Sequence, residues 1–189
     1  MTDFTIYTPD NAPEGSKELL KGFREKFGFD VNFFGVLAES PKALAAFPAI
    51  GAAFDQTTLS PAEQQVVLLA TSVENNCRFC VAVHSTIGRN QAGVDGAVID
   101  AVRENRAAPD AKLNALANFT KAIVEKRGFT DDEDKQAFLD AGYTKENIME
   151  VILGVTYKTF TNYINHLMDT PLNDEFAPEA WDPGQKQAA

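Results

Sequence analysis

The sequence predicts an all-α fold, a bundle of about eight helices of uneven length. Three observations carry that reading. Apolar residues recur at the i, i+3, i+4, i+7 spacing of one helix face in segment after segment. Helix-start signals, a Ser or Thr followed by Pro, Asp or Glu, stand ahead of several of those segments. No stretch shows the sustained apolar–polar alternation, bounded by hairpin turns, that a half-buried strand requires.

Taken in order, residues 1–15 carry Pro9, Pro13 and Gly15 and read as an extended arm. Ser16 is placed to cap a helix running to about Phe27, with Leu19, Leu20, Phe23 and Phe27 on one face and Gly28 as its stop. A short apolar segment, 31–38, follows. Ser40-Pro41 opens a helix to about Phe54, with Pro48 as an expected kink or division. Ser60-Pro61-Ala62-Glu63 is a capping box for a helix to about Glu74, whose apolar face is Val66, Leu69, Ala70 and Val73. Asn75-Asn76 is a break, suited to a left-handed turn or a cap. A helix from about Cys77 to Asn90 comes next, then a short one from Asp95 to Asn105. Pro109-Asp110 opens a longer helix to Arg127, stopped by Gly128. Thr130-Asp131-Asp132-Glu133 reads as a capping box leading to about Ala141. Thr144 starts the last long helix, to about Met168, with Ile148, Val151, Ile152, Val155, Phe160, Tyr163, Ile164 and Leu167 as its apolar stripe. The tail 170–189 bears three prolines and reads as irregular, docked through Phe176 and Trp181. The chain, 1–189, reads as a single domain.

The composition excludes some classes of function. A chain of 189 residues with 44% hydrophobic content can bury a sizeable core. Its net charge of −10 repels phosphate backbones, so a nucleic-acid partner is not expected. No apolar run reaches the length of a membrane span. The first residues lack a basic stretch followed by an apolar one, so the expected location is the cytoplasm. In a reducing cytosol two closely spaced cysteines point to catalysis or metal binding rather than a structural disulfide. No glycine-rich nucleotide or flavin motif is present, so no cofactor is expected and electrons must come from a partner.

The chemistry concentrates in QVVLLATSVENNCRFCVAVHSTIGR, residues 65–89. It holds both cysteines and one of the two histidines, as Cys77-x-x-Cys80-x-x-x-His84. On a helix these three fall within about 60° of one face. A thiol attacks as its thiolate, and a helix N-terminus favours that negative charge. His84 is able to accept or return a proton. A second thiol three residues away can condense with a sulfenic acid to give a disulfide.

The segment LSPAEQQVVLLATSVENNCRFCVAVHS resembles the core of the carboxymuconolactone decarboxylase/AhpD superfamily, in its alkylhydroperoxidase, peroxidase-related branch. NYINHLMDTPLNDEFAP is similar to a second region of that branch, here Asn165 to Pro171. The resemblance implies an all-helical, AhpD-like fold assembled as a homo-oligomer, a trimer or a hexamer. It implies reduction of a hydroperoxide substrate, with the enzyme returned to its dithiol state by a thiol or lipoyl-type reductant. Cys80 would then be the peroxidatic cysteine, Cys77 the proton donor and resolving thiol, and His84 part of the proton relay. Two positions depart from the family pattern. Its relay glutamate is replaced by Gln65, which cannot exchange a proton near neutral pH, and Phe79 stands where a tyrosine or histidine is common. Losing a general base typically costs about 10²–10⁴-fold, so a weakened peroxidase, or a dithiol–disulfide oxidoreductase acting on a different thiol substrate, is expected. Glu63 lies about 200° around its helix from Gln65, whereas Glu74, just ahead of the cysteine helix, is the better candidate substitute.

Other readings stand beside this one. Cys77, Cys80 and His84, with His166 as a fourth ligand, make a candidate zinc set. A non-enzymatic helical assembly keeping the motif for packing would show two unreactive thiols. Phe33, Phe34, Phe47 and Phe54 read as core, with some of them available to line an apolar substrate channel.

Overall fold

A computed structural model of the chain describes residues 4–184. The outermost parts of the expected N-terminal arm and C-terminal tail, 1–3 and 185–189, lie outside the described residues. Among the described residues there are nine α-helices and no strand. They are α1 (Glu14–Phe27), α2 (Asn32–Leu37), α3 (Pro41–Asp55), α4 (Pro61–Glu74), α5 (Arg78–Asn90), α6 (Gly96–Arg103), α7 (Ala111–Glu125), α8 (Asp132–Asp140) and α9 (Lys145–Met168). A short 3-10 helix, Asp174–Glu179, follows.

Local chemistry explains most of the boundaries. Ser60 and Glu63 exchange side chain-to-backbone hydrogen bonds as a capping box at the start of α4, and Thr144 with Asn147 does the same for α9. Ser40 caps α3, and Pro48 sits inside that helix without dividing it. The box of α8 is shifted by one residue from the expectation: Asp131 is the cap and Asp134 its reciprocal partner. Ser16 does not cap α1. That helix starts two residues earlier, and the buried Ser16 hydroxyl donates to the Ala38 carbonyl, tying α1 to the end of α2. The apolar segment 31–38 supplies the helix beyond the expected eight.

Helix α4 is the hub. It packs against α5, α6, α7 and α9 and is buried nearly all round, not on one face as its apolar spacing suggests. Its two buried hydroxyls are satisfied within the helix: Thr71 donates to Val67 and Ser72 to Leu68. Gly154 lets α9 come close, since a Cβ there would stand 2.6 Å from the Phe54 ring and 2.8 Å from Val67.

Two apolar clusters result. One surrounds α4, α6 and α7; the other joins α1, α2 and α3 to the start of α5 and includes Cys77, Phe79 and Cys80. The 3-10 helix closes this second cluster through Phe176, whose ring meets Phe29 and Phe79 edge-on. Arg103 clamps the segment by donating to the Glu179 and Ala180 carbonyls, and the Trp181 indole donates to the Arg103 carbonyl. The tail is thus partly helical, and Trp181 docks on its own chain. No helix of the described residues is long and apolar enough to cross a membrane.

Candidate active site

The break between α4 and α5 places the two cysteines. Asn76 adopts the left-handed conformation, φ 56°, and its N–H donates to the Val73 carbonyl. The N–H of Cys77 donates to the Ser72 carbonyl at 2.9 Å. This is a Schellman-type ending of α4. Cys77 is at once the residue that completes that ending and the extended N-cap of α5. Its sulfur makes no capping hydrogen bond. One turn on, Cys80 lies in the first turn of α5, and both thiols are buried and free.

Around Cys80 three helices converge. From α9, the Asn165 amide Nδ2 donates to the Cys80 sulfur at 3.3 Å, and the Thr161 hydroxyl lies 3.9 Å from it. Also from α9, Lys158 Nζ lies 2.7 Å from His84 Nε2. From α4, Gln65 Oε1 lies 2.9 Å from His84 Nδ1. An ammonium has only donors, so His84 Nε2 must be the acceptor. Nδ1 therefore carries the proton and donates to Gln65. The result is a directed chain, Lys158 to His84 to Gln65, that fixes the tautomer.

The electrostatics follow from this arrangement. Burial works to raise the pKa of Cys80. The Cys77 thiol, the Lys158 ammonium and the amides of Asn165 and Asn162 outweigh it and hold the group well below the ordinary thiol range. Cys77 moves the opposite way. Its hydrogen bond to Cys80, then burial and the Cys80 charge, push it far up. The opposed shifts favour a thiolate at Cys80 beside a thiol at Cys77. Burial, reinforced by the Lys158 charge, pushes His84 well below its usual value, so the imidazole is neutral at neutral pH.

A cavity of about 250 Å³ opens onto Cys80, His84 and Lys158. Its walls include Phe23, Phe27, Phe33, Phe34, Phe47 and Tyr157. Most of the aromatic group expected as core thus lines this space, while Phe54 belongs to the interior around α4.

Of the sequence-predicted residues, Cys77, Cys80 and His84 are brought together. Glu74 is not brought to the sulfurs. It lies at the end of α4 in a separate groove with Ile123, Ile152 and Tyr163. Gln65 occupies the relay position and holds His84, as a hydrogen-bond acceptor without a titratable proton. Among the described residues no group of three or more His, Cys, Asp or Glu is placed to hold a metal ion. Both nitrogens of His84 are already engaged, and the Lys158 ammonium lies against one of them, which does not fit a zinc set.

Sequence reasoning missed Lys158, Thr161, Asn162 and Asn165. They are buried, whereas Ile152, Tyr163 and Leu167 of the expected apolar stripe face outward, Leu167 at 75% exposure. The signal was present: Lys158, Thr161, Asn162 and Asn165 follow the i, i+3, i+4, i+7 spacing as a polar stripe.

Comparison with known proteins bears on this geometry. Residues 38–124 match the carboxymuconolactone decarboxylase family. That span contains Gln65, Cys77, Cys80 and His84 and ends before Lys158. No curated protein matches the chain. Among solved structures, it is similar to an uncharacterized peroxidase-related protein with an alkylhydroperoxidase AhpD core from Ralstonia eutropha JMP134. The TM-score is 0.81 at 23% identity, over 92% of this chain and 93% of that one. It is similar to an uncharacterized peroxidase-related protein from Silicibacter sp. TM1040, with TM-score 0.77 at 18% identity, over 93% and 96%. A third similar structure is a cysteine-to-alanine variant of the debrominase Bmp8 in complex with 2,3,4-tribromopyrrole, with TM-score 0.79 at 18% identity, over 95% and 96%. At these identities the likeness is one of fold, and it bears out the all-α, AhpD-like architecture; the match over residues 38–124 supports the superfamily resemblance.

Proposed function

From an AhpD-like helical fold with a carboxymuconolactone decarboxylase family core at residues 38–124, we propose a thiol-dependent hydroperoxide reductase working through Cys80 and Cys77. The observation that supports this most is the setting of Cys80, a free cysteine in the first turn of α5 that accepts from the Asn165 amide in a cavity shared with the buried Lys158, with the free Cys77 one turn before it. The Cys80 thiolate attacks the outer oxygen of the hydroperoxide. The O–O bond breaks, Cys80 becomes a sulfenic acid, and the departing alkoxide takes a proton to become an alcohol. Lys158, with donors beyond the one used on His84, is the buried cation of this cavity that can supply that proton or stabilise that charge. Cys77 then attacks the sulfenic sulfur, water leaves, and a Cys77–Cys80 disulfide forms. Two equivalents of an external thiol, or one dithiol, return the pair to its starting state. A cytoplasmic location fits this cycle, because such thiols are available there.

The test is thiol-dependent reduction of an organic hydroperoxide by wild-type protein and by Cys80→Ser. Loss of turnover in Cys80→Ser is expected, with one sulfur oxidised per chain in Cys77→Ser. Unchanged turnover in Cys80→Ser overturns the proposal.

The aromatic cavity supports a second reading, reductive removal of bromine from an aromatic ring, since the similar debrominase is bound to a brominated pyrrole. The dithiol supplies the two electrons: the carbon–bromine bond is replaced by carbon–hydrogen, bromide and a proton are released, and a disulfide forms. Bromide release from a bromopyrrole, dependent on Cys80, by protein that leaves hydroperoxides unreduced would favour this reading over the first.

A further inference from the structure

We propose that the reductant reaches the disulfide through a second cavity, on the Cys77 side of α5, and that this cavity takes a small thiol which attacks Cys77. The proposal rests on the dithiol cycle above but concerns its other half. The second cavity measures about 420 Å³ and is lined by Cys77, Arg78, Thr170, Leu172, Ala180 and Trp181 among others. Cys80, His84 and Lys158 do not line it, and Cys77 does not line the aromatic cavity. Phe79 and Asn165 are common to both and form the wall between them.

This cavity contains polar groups that the protein leaves unsatisfied. Asn165 is 6% exposed, and while its Nδ2 donates to the Cys80 sulfur, its Oδ1 is buried without a hydrogen-bond partner. The Thr170 hydroxyl is likewise buried and unpartnered. An orphaned buried polar atom costs about 1–3 kcal/mol. Both residues line this cavity, Asn165 on its boundary with the aromatic one.

Exchange chemistry points to the same sulfur. In thiol–disulfide exchange the bond breaks faster when the departing sulfur is the better-stabilised thiolate. The Asn165 amide and the Lys158 charge stabilise Cys80 as a thiolate, so attack belongs on Cys77. The incoming thiolate forms a bond to the Cys77 sulfur, the Cys77–Cys80 bond breaks, and Cys80 departs with the electron pair. A second reductant thiolate then attacks the mixed disulfide. It leaves as part of an oxidised reductant, and Cys77 takes up a proton.

The test starts from protein oxidised with diamide, which takes two electrons from the dithiol without any hydroperoxide. A brief pulse of 2-mercaptoethanol, quenched in acid, is followed by peptide mass mapping. The expected adduct is on Cys77; an adduct on Cys80, or no disulfide after diamide, overturns the proposal. A second arm uses Ala180→Trp, which fills the cavity from a solvent-facing position with extended backbone. It should slow reduction of the diamide-made disulfide by dithiothreitol at least about tenfold more than it slows alkylation of Cys80 in the reduced protein. Equal slowing of both reactions overturns the proposal. Loss of hydroperoxide turnover alongside a Cys77 adduct would remove the peroxidase reading and leave this route standing.

Discussion

Lys158 Nζ on α9 stands 2.7 Å from His84 Nε2 on α5, in a space where the lysine is only 5% exposed. Among the described residues no carboxylate lies within ion-pair distance of this ammonium. The anion nearest in chemistry is the Cys80 thiolate, whose pKa the same ammonium lowers. This geometry suits the histidine of the motif to positioning rather than to taking a proton. Neutral and with its tautomer fixed by Gln65, it holds a buried cation beside a sulfur.

Replacing that cation should deactivate the thiol. In Lys158→Met the Cys80 pKa should rise toward or above the ~8.5 of a free cysteine. An adjacent opposite charge contributes about 10- to 1000-fold in the protonation equilibrium, so alkylation at pH 7 should slow by at least about tenfold. Iodoacetamide kinetics across pH on a Cys77→Ser background measure this at one sulfur. An unchanged profile would mean that the asparagine amides hold the thiolate without the ammonium.

Gln65 gives the converse prediction. In Gln65→Glu a carboxylate would accept the His84 Nδ1 proton and favour the imidazolium, raising the His84 pKa from its depressed value. The chain from Gln65 to Lys158 would then contain groups that exchange protons. Hydroperoxide turnover should rise by about tenfold or more, toward the 10²–10⁴-fold that general acid–base catalysis typically contributes. A new inflection between pH 5 and 7 in the rate profile is the accompanying signature. Glu74→Gln, by contrast, should change the rate less than about twofold, because Glu74 lies in another groove.

What the sequence discloses and what it hides divide along physical lines. Helix starts are legible because a cap is a contact over three residues: Ser60 with Glu63 and Thr144 with Asn147 form as their spacing implies. The Cys77, Cys80 and His84 constellation is legible because it sits on one helix. Lys158 and Asn165 are hidden because their partners are 74 and 85 residues away, on another helix. Their own helix misleads as well. Its apolar spacing is real but faces outward in part, while its buried face is polar because it serves a sulfur and an imidazole. Ser16 fails as a cap because a buried carbonyl at Ala38 is the better partner.

Acid should destabilise the fold in a defined window. His84 has a folded pKa below its unfolded value of about 6.5. Below pH 6.5 the unfolded chain therefore binds a proton that the native protein excludes, and stability falls as pH falls. Cys80, also depressed, acts with the same sign between its folded value and about 8.5. Each proton contributes at most about 1.4 kcal/mol per pH unit. Urea unfolding at pH 7 and pH 5 should show the loss, and His84→Gln should reduce it to the part that Cys80 contributes. A wild-type stability that stays level from pH 7 to pH 5 would contradict the neutral, buried imidazole.

The aromatic cavity sets the last prediction, on substrate choice. A phenyl group moved from water into the space bounded by Phe33, Phe47 and Tyr157 gains about 2 kcal/mol from burial, some 30-fold in binding. Cumene hydroperoxide should therefore be used with a higher kcat/KM than hydrogen peroxide, which has no apolar surface to bury. Val83, half-buried on α5, lines the same space. Val83→Trp should fill it, lowering kcat/KM for cumene hydroperoxide by about tenfold or more. Hydrogen peroxide still fits through what remains, so its rate should fall far less. The comparison is internal to one variant, so a general loss of folded protein lowers both rates together and cannot mimic the expected split. Parallel losses for the two substrates would show that the aromatic walls serve the core, and that peroxide reaches Cys80 by another route.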